Sequence, residues 1–317
     1  MYSLLSGKKV LITGGAGFVG IHTIAECLSQ GATKVRVLDN FCSSKATESQ
    51  LNKKFGKYRF ELMPEDIKNK NTCLIACSNM DYVLHLAGLS SNTDSMVEQG
   101  KYYDANVKGT RKLIEAAIKC KIKKLVFASS IEVYGDSSKV VSEQTPTDPI
   151  DFLGSTKVIC EEMLQFRHNT SRLSSVSLRY ANVIGGRASK DQIFSKLFNS
   201  IIKNMPINIQ RNENQLLNLI YVKDIAHANV NAMIMPVAHQ PINIIGETLT
   251  IRQIYNTIKE AINSEFNKAN FSLNYKSAKK GFDIDGKKAT MVLNYKPQYD
   301  TRNAINEIWM IQKQYMK

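Results

Sequence analysis

The stretch Thr13–Gly20, which reads TGGAGFVG, constrains what this chain folds into more than any other feature of its sequence. It follows the apolar run Lys8–Ile12, which indicates a buried strand, and it opens the helical period Phe18–Gln30. Closely spaced glycines permit a tight turn and let backbone N–H groups at a helix N-terminus approach an anionic group. The sequence therefore predicts a strand–turn–helix unit that binds the paired phosphates of a dinucleotide. The residues expected to line those phosphates are Gly14, Gly17, Phe18, Val19 and Gly20.

Strand-like and helix-like segments alternate through the first half of the chain. The predicted strands are Lys8–Ile12, Lys34–Leu38, Tyr58–Leu62, Tyr82–Leu86, Lys124–Phe127 and Val176–Arg179. The predicted helices are Phe18–Gln30, Lys68–Cys77, Tyr102–Cys120 and Leu153–Phe166. Several of the strands are continuous apolar runs, which is typical of parallel strands covered on both faces. The sequence therefore predicts an α/β protein with a Rossmann-like doubly wound parallel sheet.

The regular alternation fades after Gly185. The patterns beyond that point indicate three amphipathic helices and a short strand: Asp191–Lys203, Arg252–Ile262, Thr301–Gln314 and Pro241–Ile245. We therefore predict two domains, with residues 1–185 binding the dinucleotide and residues 186–317 forming a smaller C-terminal substrate-binding domain. Residues 218–233 are expected to return and pack on the first domain.

The composition is that of a globular protein, with 43% hydrophobic and 22% charged residues among 317. No apolar run approaches the roughly 20 residues that cross a bilayer, and the start lacks the pattern of a secretory signal. We therefore expect a cytoplasmic protein with no membrane partner. The formal net charge is +14, but the lysines are dispersed and form no dense basic run with interleaved aromatics. This distribution disfavours nucleic acid as a partner and favours a basic surface that attracts anionic substrates.

Six cysteines are scattered along the chain without a CxxC pair. Cys73 and Cys77 lie four residues apart on a predicted helix, but no His or further Cys lies nearby to complete a tetrahedral metal site. We therefore expect reduced, mostly buried thiols and no metal ion.

An acidic residue ends the second predicted strand, where dinucleotide-binding proteins hold the adenosine ribose. Asp39 occupies that position and Asn40 follows it. A carboxylate there accepts hydrogen bonds from the ribose hydroxyls and repels a 2′-phosphate. The sequence therefore predicts NAD, rather than NADP, as the cofactor.

Seven motifs in a fixed order resemble those of the extended short-chain dehydrogenase/reductase family, in particular its NAD-dependent nucleotide-sugar epimerases and dehydratases. The motifs are Thr13–Gly20, Asp66–Ile67, His85–Leu89, Asn106–Thr110, Ser129–Gly135, Arg179–Gly185 and Leu293–Pro297. The resemblance implies a bound NAD, a nucleotide-diphosphate sugar as substrate, and a homodimer formed through the helices near Tyr102–Cys120 and Leu153–Phe166.

The same resemblance assigns roles to individual residues. Asp66 would hold the adenine amino group, and Ile67 would pack on the adenine ring. The residues that would lie along the cofactor are Leu86, Ala87, Gly88, Asn106 and Ala181. Asn182 would contact the phosphates of the sugar nucleotide.

The catalytic segment departs from the family pattern. Family members use a Ser or Thr together with a Tyr and a Lys spaced as YxxxK. Ser130 fits the first position and Lys157 fits the Lys, which would hold the nicotinamide ribose, but the position of the Tyr is Leu153. Leucine has no proton to exchange, so the usual acid–base scheme requires another group.

Three alternatives remain open from the sequence. In the first, Glu132 is the base of a dehydratase- or lyase-type reaction, as in family members that carry a catalytic Glu at this place, although Ile131 replaces the Asp that usually precedes it. In the second, the protein is a nucleotide-sugar 4-epimerase with an altered base. In the third, it binds NAD and a nucleotide sugar without turnover.

The residues expected to bind the substrate also depart from the family pattern. Family members usually carry an Arg that clamps the diphosphate just before the strand that matches Leu219–Val222. That position is Leu217 here, and Arg211, six residues earlier, is our candidate to replace the missing guanidinium.

Overall fold

The computed structural model describes residues 3–43, 46–56, 59–137, 139–186, 188, 192–209, 212–262, 271–273 and 281–316. Its strands are β1 (Lys9–Thr13), β2 (Lys34–Leu38), β3 (Phe60–Met63), β4 (Tyr82–His85), β5 (Lys124–Ser130), β6 (Ser175–Tyr180), β7 (Asn182–Ile184), β8 (Ile207–Ile209), β9 (Leu216–Tyr221), β10 (Pro241–Ile244), β11 (Glu247–Thr250) and β12 (Phe271–Leu273). Its α-helices are α1 (Phe18–Ser29), α2 (Glu48–Phe55), α3 (Lys70–Cys77), α4 (Asn92–Val97), α5 (Gln99–Tyr102), α6 (Gly109–Lys119), α7 (Phe152–Ser171), α8 (Ile193–Ile202), α9 (Val222–Ile234), α10 (Ile251–Ala261), α11 (Lys287–Leu293) and α12 (Thr301–Met316). A π-helix, Tyr103–Lys108, precedes α6, and a 3-10 helix, Ile131–Tyr134, follows β5.

A parallel sheet forms the centre of the molecule. Within the described residues it has seven strands in the order β10-β6-β5-β4-β1-β2-β3, and every pairing in it is parallel. The strand order reverses beside β1, because the chain runs outward to β3 and then returns to β4 on the other side. The predicted fold class, a Rossmann-like doubly wound α/β protein, is confirmed.

Apolar side chains are buried on both faces of this sheet, as the continuous apolar strands require. One core cluster includes Val10, Ile12 and Leu84, and the other includes Leu11, Val83 and Leu125. Adjacent residues of one strand thus pack on opposite faces. The carboxyl ends of the strands meet at one edge of the sheet, which is the edge where ligands bind in folds of this kind.

The C-terminal half returns to this sheet before it forms its own elements. Helix α9 packs along α1, where the Asn229 amide donates a hydrogen bond to Thr23 Oγ1 (3.2 Å), and β10 pairs with β6 at the sheet edge. A separate three-stranded sheet, β11-β9-β7, lies beyond the carboxyl ends of the main strands. Both α9 and β10 follow residue 185 in the sequence, yet they pack on the parallel sheet and its helix α1. The division into domains at residue 185 remains a prediction.

The segment predicted as one helix, Tyr102–Cys120, changes helix type along its length. Tyr102 ends α5, Tyr103–Lys108 form the π-helix, and α6 begins at Gly109. Apolar periodicity does not distinguish a turn with one extra residue from a regular helical turn, so this change had no signal in the sequence. A single π-turn is frequently found at a functional site.

The cysteines are free thiols, and burial raises the pKa of Cys73 and Cys160 to about 11. Among the described residues, His, Cys, Asp and Glu side chains form no group of three that is able to hold a metal ion. Within that same part of the chain, no helix combines the length and apolarity needed to span a membrane.

Candidate cofactor and active site

The glycine turn between β1 and α1 is shaped by two close backbone approaches. Gly14 has φ +71°, and a Cβ there would lie 2.6 Å from Ala87 N. A Cβ on Gly20 would lie 2.5 Å from the carbonyl oxygens of Gly14 and Gly15. A side chain at either position would push apart backbone segments that are in contact, so these glycines allow the turn to pack tightly at the N-terminus of α1, where an anionic group would bind.

Asp39 holds the turn from the neighbouring strand. Its Oδ2 accepts a hydrogen bond from Ala16 N (2.9 Å), and its Oδ1 accepts one from Phe41 N (2.8 Å). The carboxylate therefore lies beside the start of α1, at the end of β2, where an adenosine ribose would reach it.

Asp66 and Asn40 form a second polar pair at this edge of the sheet. Asn40 Nδ2 donates to Asp66 Oδ2 (2.9 Å), and Lys68 N donates to Asp66 Oδ1 (2.8 Å). Partial burial acts to raise the pKa of Asp66, but these hydrogen bonds and the Lys68 charge outweigh it and lower that pKa. Ile67 is buried beside this pair against Gly109, where a Cβ would lie 2.7 Å from Ile67 Cδ1.

Asn106, in the π-helix, forms hydrogen bonds with the loop that follows β4. Asn106 Oδ1 accepts from Leu89 N (2.8 Å), and Asn106 Nδ2 donates to Leu89 O and to Thr156 Oγ1, both at 3.1 Å. Gly88 leaves room for this contact, because a Cβ there would lie 2.9 Å from Asn106 Oδ1. Asn106 is 3% exposed and all of these bonds are internal, so it holds the loop containing Leu86, Ala87 and Gly88 in place.

Lys157 extends from α7 to the end of β5. Its Nζ donates to Ala128 O (2.7 Å) and lies 5.0 Å from the centroid of the Phe127 ring. Burial lowers the pKa of Lys157, because the protein interior solvates an ammonium group less well than water does. Ser130 ends the same strand, and its Oγ accepts from Glu132 N (3.2 Å).

Leu153 occupies the first turn of α7, four residues before Lys157, and is 4% exposed. The adjacent Gly154 lets this turn pack on the 3-10 helix, because a Cβ there would lie 2.7 Å from Glu132 O. The structure therefore places Glu132, Ser130 and the start of α7 together, and the space beside Lys157 that a tyrosine would share holds an aliphatic side chain.

Residues that follow β6 also lie at the candidate site. Asn182 Nδ2 donates to Asn218 O (3.0 Å), which joins β7 to β9, and Ala181 is buried beside it. Gly185 then brings the chain back to α1, because a Cβ there would lie 2.6 Å from the Phe18 ring. Arg211, the candidate diphosphate ligand, lies outside the described residues.

Sequence reasoning assigned no role to three buried polar residues of this region. They are His85, Thr110 and Thr156, with exposures of 1%, 1% and 0%. Two of them stand inside motifs that carried the family resemblance, His85–Leu89 and Asn106–Thr110, and that position was the only signal that pointed to them.

The model of the NAD dependent epimerase/dehydratase family matches residues 10–245. The chain belongs to this family. The match to the NAD dependent epimerase/dehydratase family reaches all seven strands of the parallel sheet and includes the glycine turn, Lys157 and Asn182. The resemblance drawn from the sequence motifs is thereby confirmed.

Proteins similar to this chain include epimerases and a dehydratase. The chain is 35% identical over 187 residues to the UDP-glucose 4-epimerase of Neisseria meningitidis serogroup C, a match that covers 57% of this chain and 55% of that relative. The UDP-glucuronic acid 4-epimerase of Bacillus cereus, solved with NAD, superposes with a TM-score of 0.88 at 26% identity over 97% of this chain and 99% of that one. The dTDP-glucose 4,6-dehydratase of Streptomyces venezuelae, also with NAD, gives 0.87 at 20% identity over 97% and 98%.

NAD is the cofactor of this family, and the residues present fit it. The open turn at Gly14 and Gly20 suits a pyrophosphate, the carboxylate of Asp39 suits a ribose diol, and Lys157 is a cation at the far end of the same edge. The predicted cofactor is thereby confirmed, while the role of each residue toward it remains a prediction.

Proposed function

We propose that this protein oxidises a nucleotide-diphosphate sugar transiently and that Glu132 acts as the base of a dehydratase- or lyase-type reaction. The observation that supports this most directly is the burial of Leu153 at the place of the family's tyrosine, with the backbone of Glu132 packed on the same turn. Glu132 carries a carboxylate, a type of group that is able to exchange a proton.

Each side chain of the site has a separate part in this reaction. Lys157 orients the nicotinamide ribose, and Ser130 accepts or donates a hydrogen bond at the reacting hydroxyl. Glu132 takes the proton of that hydroxyl as the carbon is oxidised. Water is then lost as a proton from the carbon beside the new carbonyl and a hydroxide from the carbon after it, and a C=C bond forms between these two carbons. NAD, which Asp39, Lys157 and the turn at Gly14 and Gly20 would hold, would supply a hydride acceptor that is regenerated within one turnover. Asn182 and Arg211 contact the diphosphate.

A 4-epimerase is the second candidate, because relatives that are 35% identical to this chain over 187 residues carry that name. Epimerisation needs only the return of the hydride to the other face of the sugar, so the two reactions share every residue up to the oxidised sugar. A protein that binds both ligands without turnover is the third candidate, since Leu153 removes the usual base.

A panel of nucleotide sugars followed by NMR distinguishes these candidates. We expect the wild-type protein to convert at least one of them to a product that has lost the elements of water. We expect Leu153→Tyr to gain no epimerase activity, because Glu132 already serves as base. An inverted sugar from the wild type, or epimerase activity that appears only in the variant, would contradict the proposed reaction. No conversion by either protein would favour the non-catalytic alternative.

We also propose that the protein forms a homodimer through the surface of α4, the π-helix and α7. Large apolar side chains are exposed there: Met96 (52%), Val97 (83%), Tyr103 (41%) and Phe166 (60%). Exposed apolar side chains grouped on adjacent helices are typical of an interface. We expect Phe166→Glu to convert a dimer to a monomer in analytical ultracentrifugation without a large change in melting temperature. A wild-type protein that sediments as a monomer would contradict the dimer.

A further inference from the structure

A line of buried and partly buried hydrogen bonds, joined at Asn106 through that residue's own covalent bonds, runs from the glycine turn to α7. Ala87 N donates to Thr13 Oγ1 (3.3 Å), and Thr13 Oγ1 lies 2.7 Å from His85 Nδ1. On the other side of the ring, His85 Nε2 lies 2.7 Å from Thr110 Oγ1. His85 thus bridges the end of β1, beside the glycine turn, and the first turn of α6.

The line continues from Thr110 to the start of α7. Thr110 Oγ1 donates to the backbone carbonyl of Asn106. The Asn106 amide then donates to Thr156 Oγ1 (3.1 Å), and Thr156 Oγ1 donates to Leu153 O (2.7 Å). The far end of the line is therefore the carbonyl of the residue that stands at the tyrosine position.

The direction of these bonds fixes the tautomer of His85. The single hydroxyl proton of Thr110 is given to Asn106 O, so Thr110 Oγ1 accepts from the ring and Nε2 carries the hydrogen. Complete burial, and to a smaller extent the Lys157 charge, lowers the pKa of His85 to about 3, so the ring is neutral and Nδ1 accepts from Thr13. Every hydroxyl in the line then donates once.

The line also stabilises the π-helix. In a π-helix a backbone carbonyl accepts from the N–H five residues on, not four. Two side chains also donate to the carbonyl of Asn106, Thr110 Oγ1 and Cys160 Sγ (3.3 Å). The same turn aims the Asn106 amide at Leu89, in the loop that forms the wall of the cofactor site.

We propose that His85 is a positioning residue, and that the line of hydrogen bonds through it couples the glycine turn at Thr13 to the turn of α7 that begins at Leu153. The inference rests on the NAD site in the proposed function. In a coupled network, loss of one member displaces the others, whereas independent structural bonds act separately. A substitution at either end of the line should therefore lower the affinity for NAD.

A double-mutant cycle on NAD affinity, measured by calorimetry, tests the coupling. We expect Thr13→Val and Thr156→Val each to weaken NAD binding roughly tenfold, because each leaves a buried polar group unsatisfied. We expect the double variant to bind NAD about as weakly as either single variant, since the first break already uncouples the ends. Thr156→Ser keeps the hydroxyl and should restore affinity.

Thr23→Val is the matched control. Thr23 is fully buried and hydrogen-bonded to Val19 O and to Asn229, but it shares no atom with the line. We expect a loss of thermal stability similar to that of the other threonine variants and an unchanged affinity for NAD.

Nitrogen-15 NMR of the His85 ring tests the assigned direction of the hydrogen bonds, while the double-mutant cycle on NAD affinity distinguishes coupling from a purely structural role. We expect the neutral Nε2–H tautomer, without titration between about pH 5 and 9. Additive effects in the cycle, unchanged NAD binding in both single variants, or an Nδ1–H ring would overturn the inference. A wild-type protein that gives no heat with NAD would instead contradict the proposed function.

Discussion

Replacing Glu132 by Gln is expected to lower turnover of the nucleotide sugar by about 10²- to 10⁴-fold, the usual contribution of a general base. The amide keeps the size of the carboxylate but does not accept a proton at neutral pH. The backbone of Glu132 is held by Ser130 Oγ and by the close packing of Gly154, so the substitution leaves the 3-10 helix in place. Single-turnover measurement of the rate and calorimetry with NAD check the two halves of this expectation.

NAD affinity of the Glu132→Gln variant should stay within a factor of about two of the wild type, because the proton transfer and the cofactor contacts involve different atoms. Glu162→Gln is the control for loss of one negative charge, since Glu162 lies exposed on α7. It should leave both properties unchanged. Full turnover in Glu132→Gln would remove Glu132 from the mechanism and return the choice of base to an open question.

The parts of the fold predicted from the sequence are those with a local signal. The apolar strands and the glycine turn were both readable, because strand burial and positive φ angles restrict which residue types occur. Asn294 shows the same logic, because the structure places it at φ +50° as the C-cap of α11. Asn is the residue that tolerates this conformation best after glycine.

Elements with a weaker local signal were missed. Helix α2 lies in a polar segment, and its one readable sign is the capping box of Thr47 and Gln50. The π-turn before Gly109 has the same apolar spacing as a helix. In both cases hydrogen-bond geometry, and not the order of residue types, defines the element.

Residues of the candidate site could be predicted from the sequence only where a single local motif indicates the role of a single residue. The glycine turn, Asp39 and Lys157 each stand in their own segment, so each could be predicted separately. The line through His85 joins residues as far apart as Thr13 and Thr156, and no periodicity connects them. Such a network becomes visible only when the parallel strands bring the carboxyl ends of β1 and β4 to one edge.

Replacing Gly14 by Ala is expected to weaken NAD binding on the order of a hundredfold, a loss of about 2.7 kcal/mol. Two effects act together at this position. The φ of +71° costs an L residue roughly 1–2 kcal/mol, and the new Cβ would lie 2.6 Å from Ala87 N. Relief of that contact moves Ala87, whose N–H donates to Thr13, so both the phosphate turn and the wall beside it are displaced.

Gly7 separates these two effects, because it has φ +72° and a Cβ there would have no neighbour within 4 Å among the described residues. Gly7→Ala should therefore lower the free energy of unfolding by roughly 1–2 kcal/mol and leave NAD affinity unchanged. Gly14→Ala should destabilise the fold more and, in addition, bind NAD about a hundredfold more weakly. Calorimetry with NAD and thermal unfolding of both variants measure the difference. Equal NAD affinity in the two variants would show that the approach of Ala87 to the turn has no part in holding the phosphates.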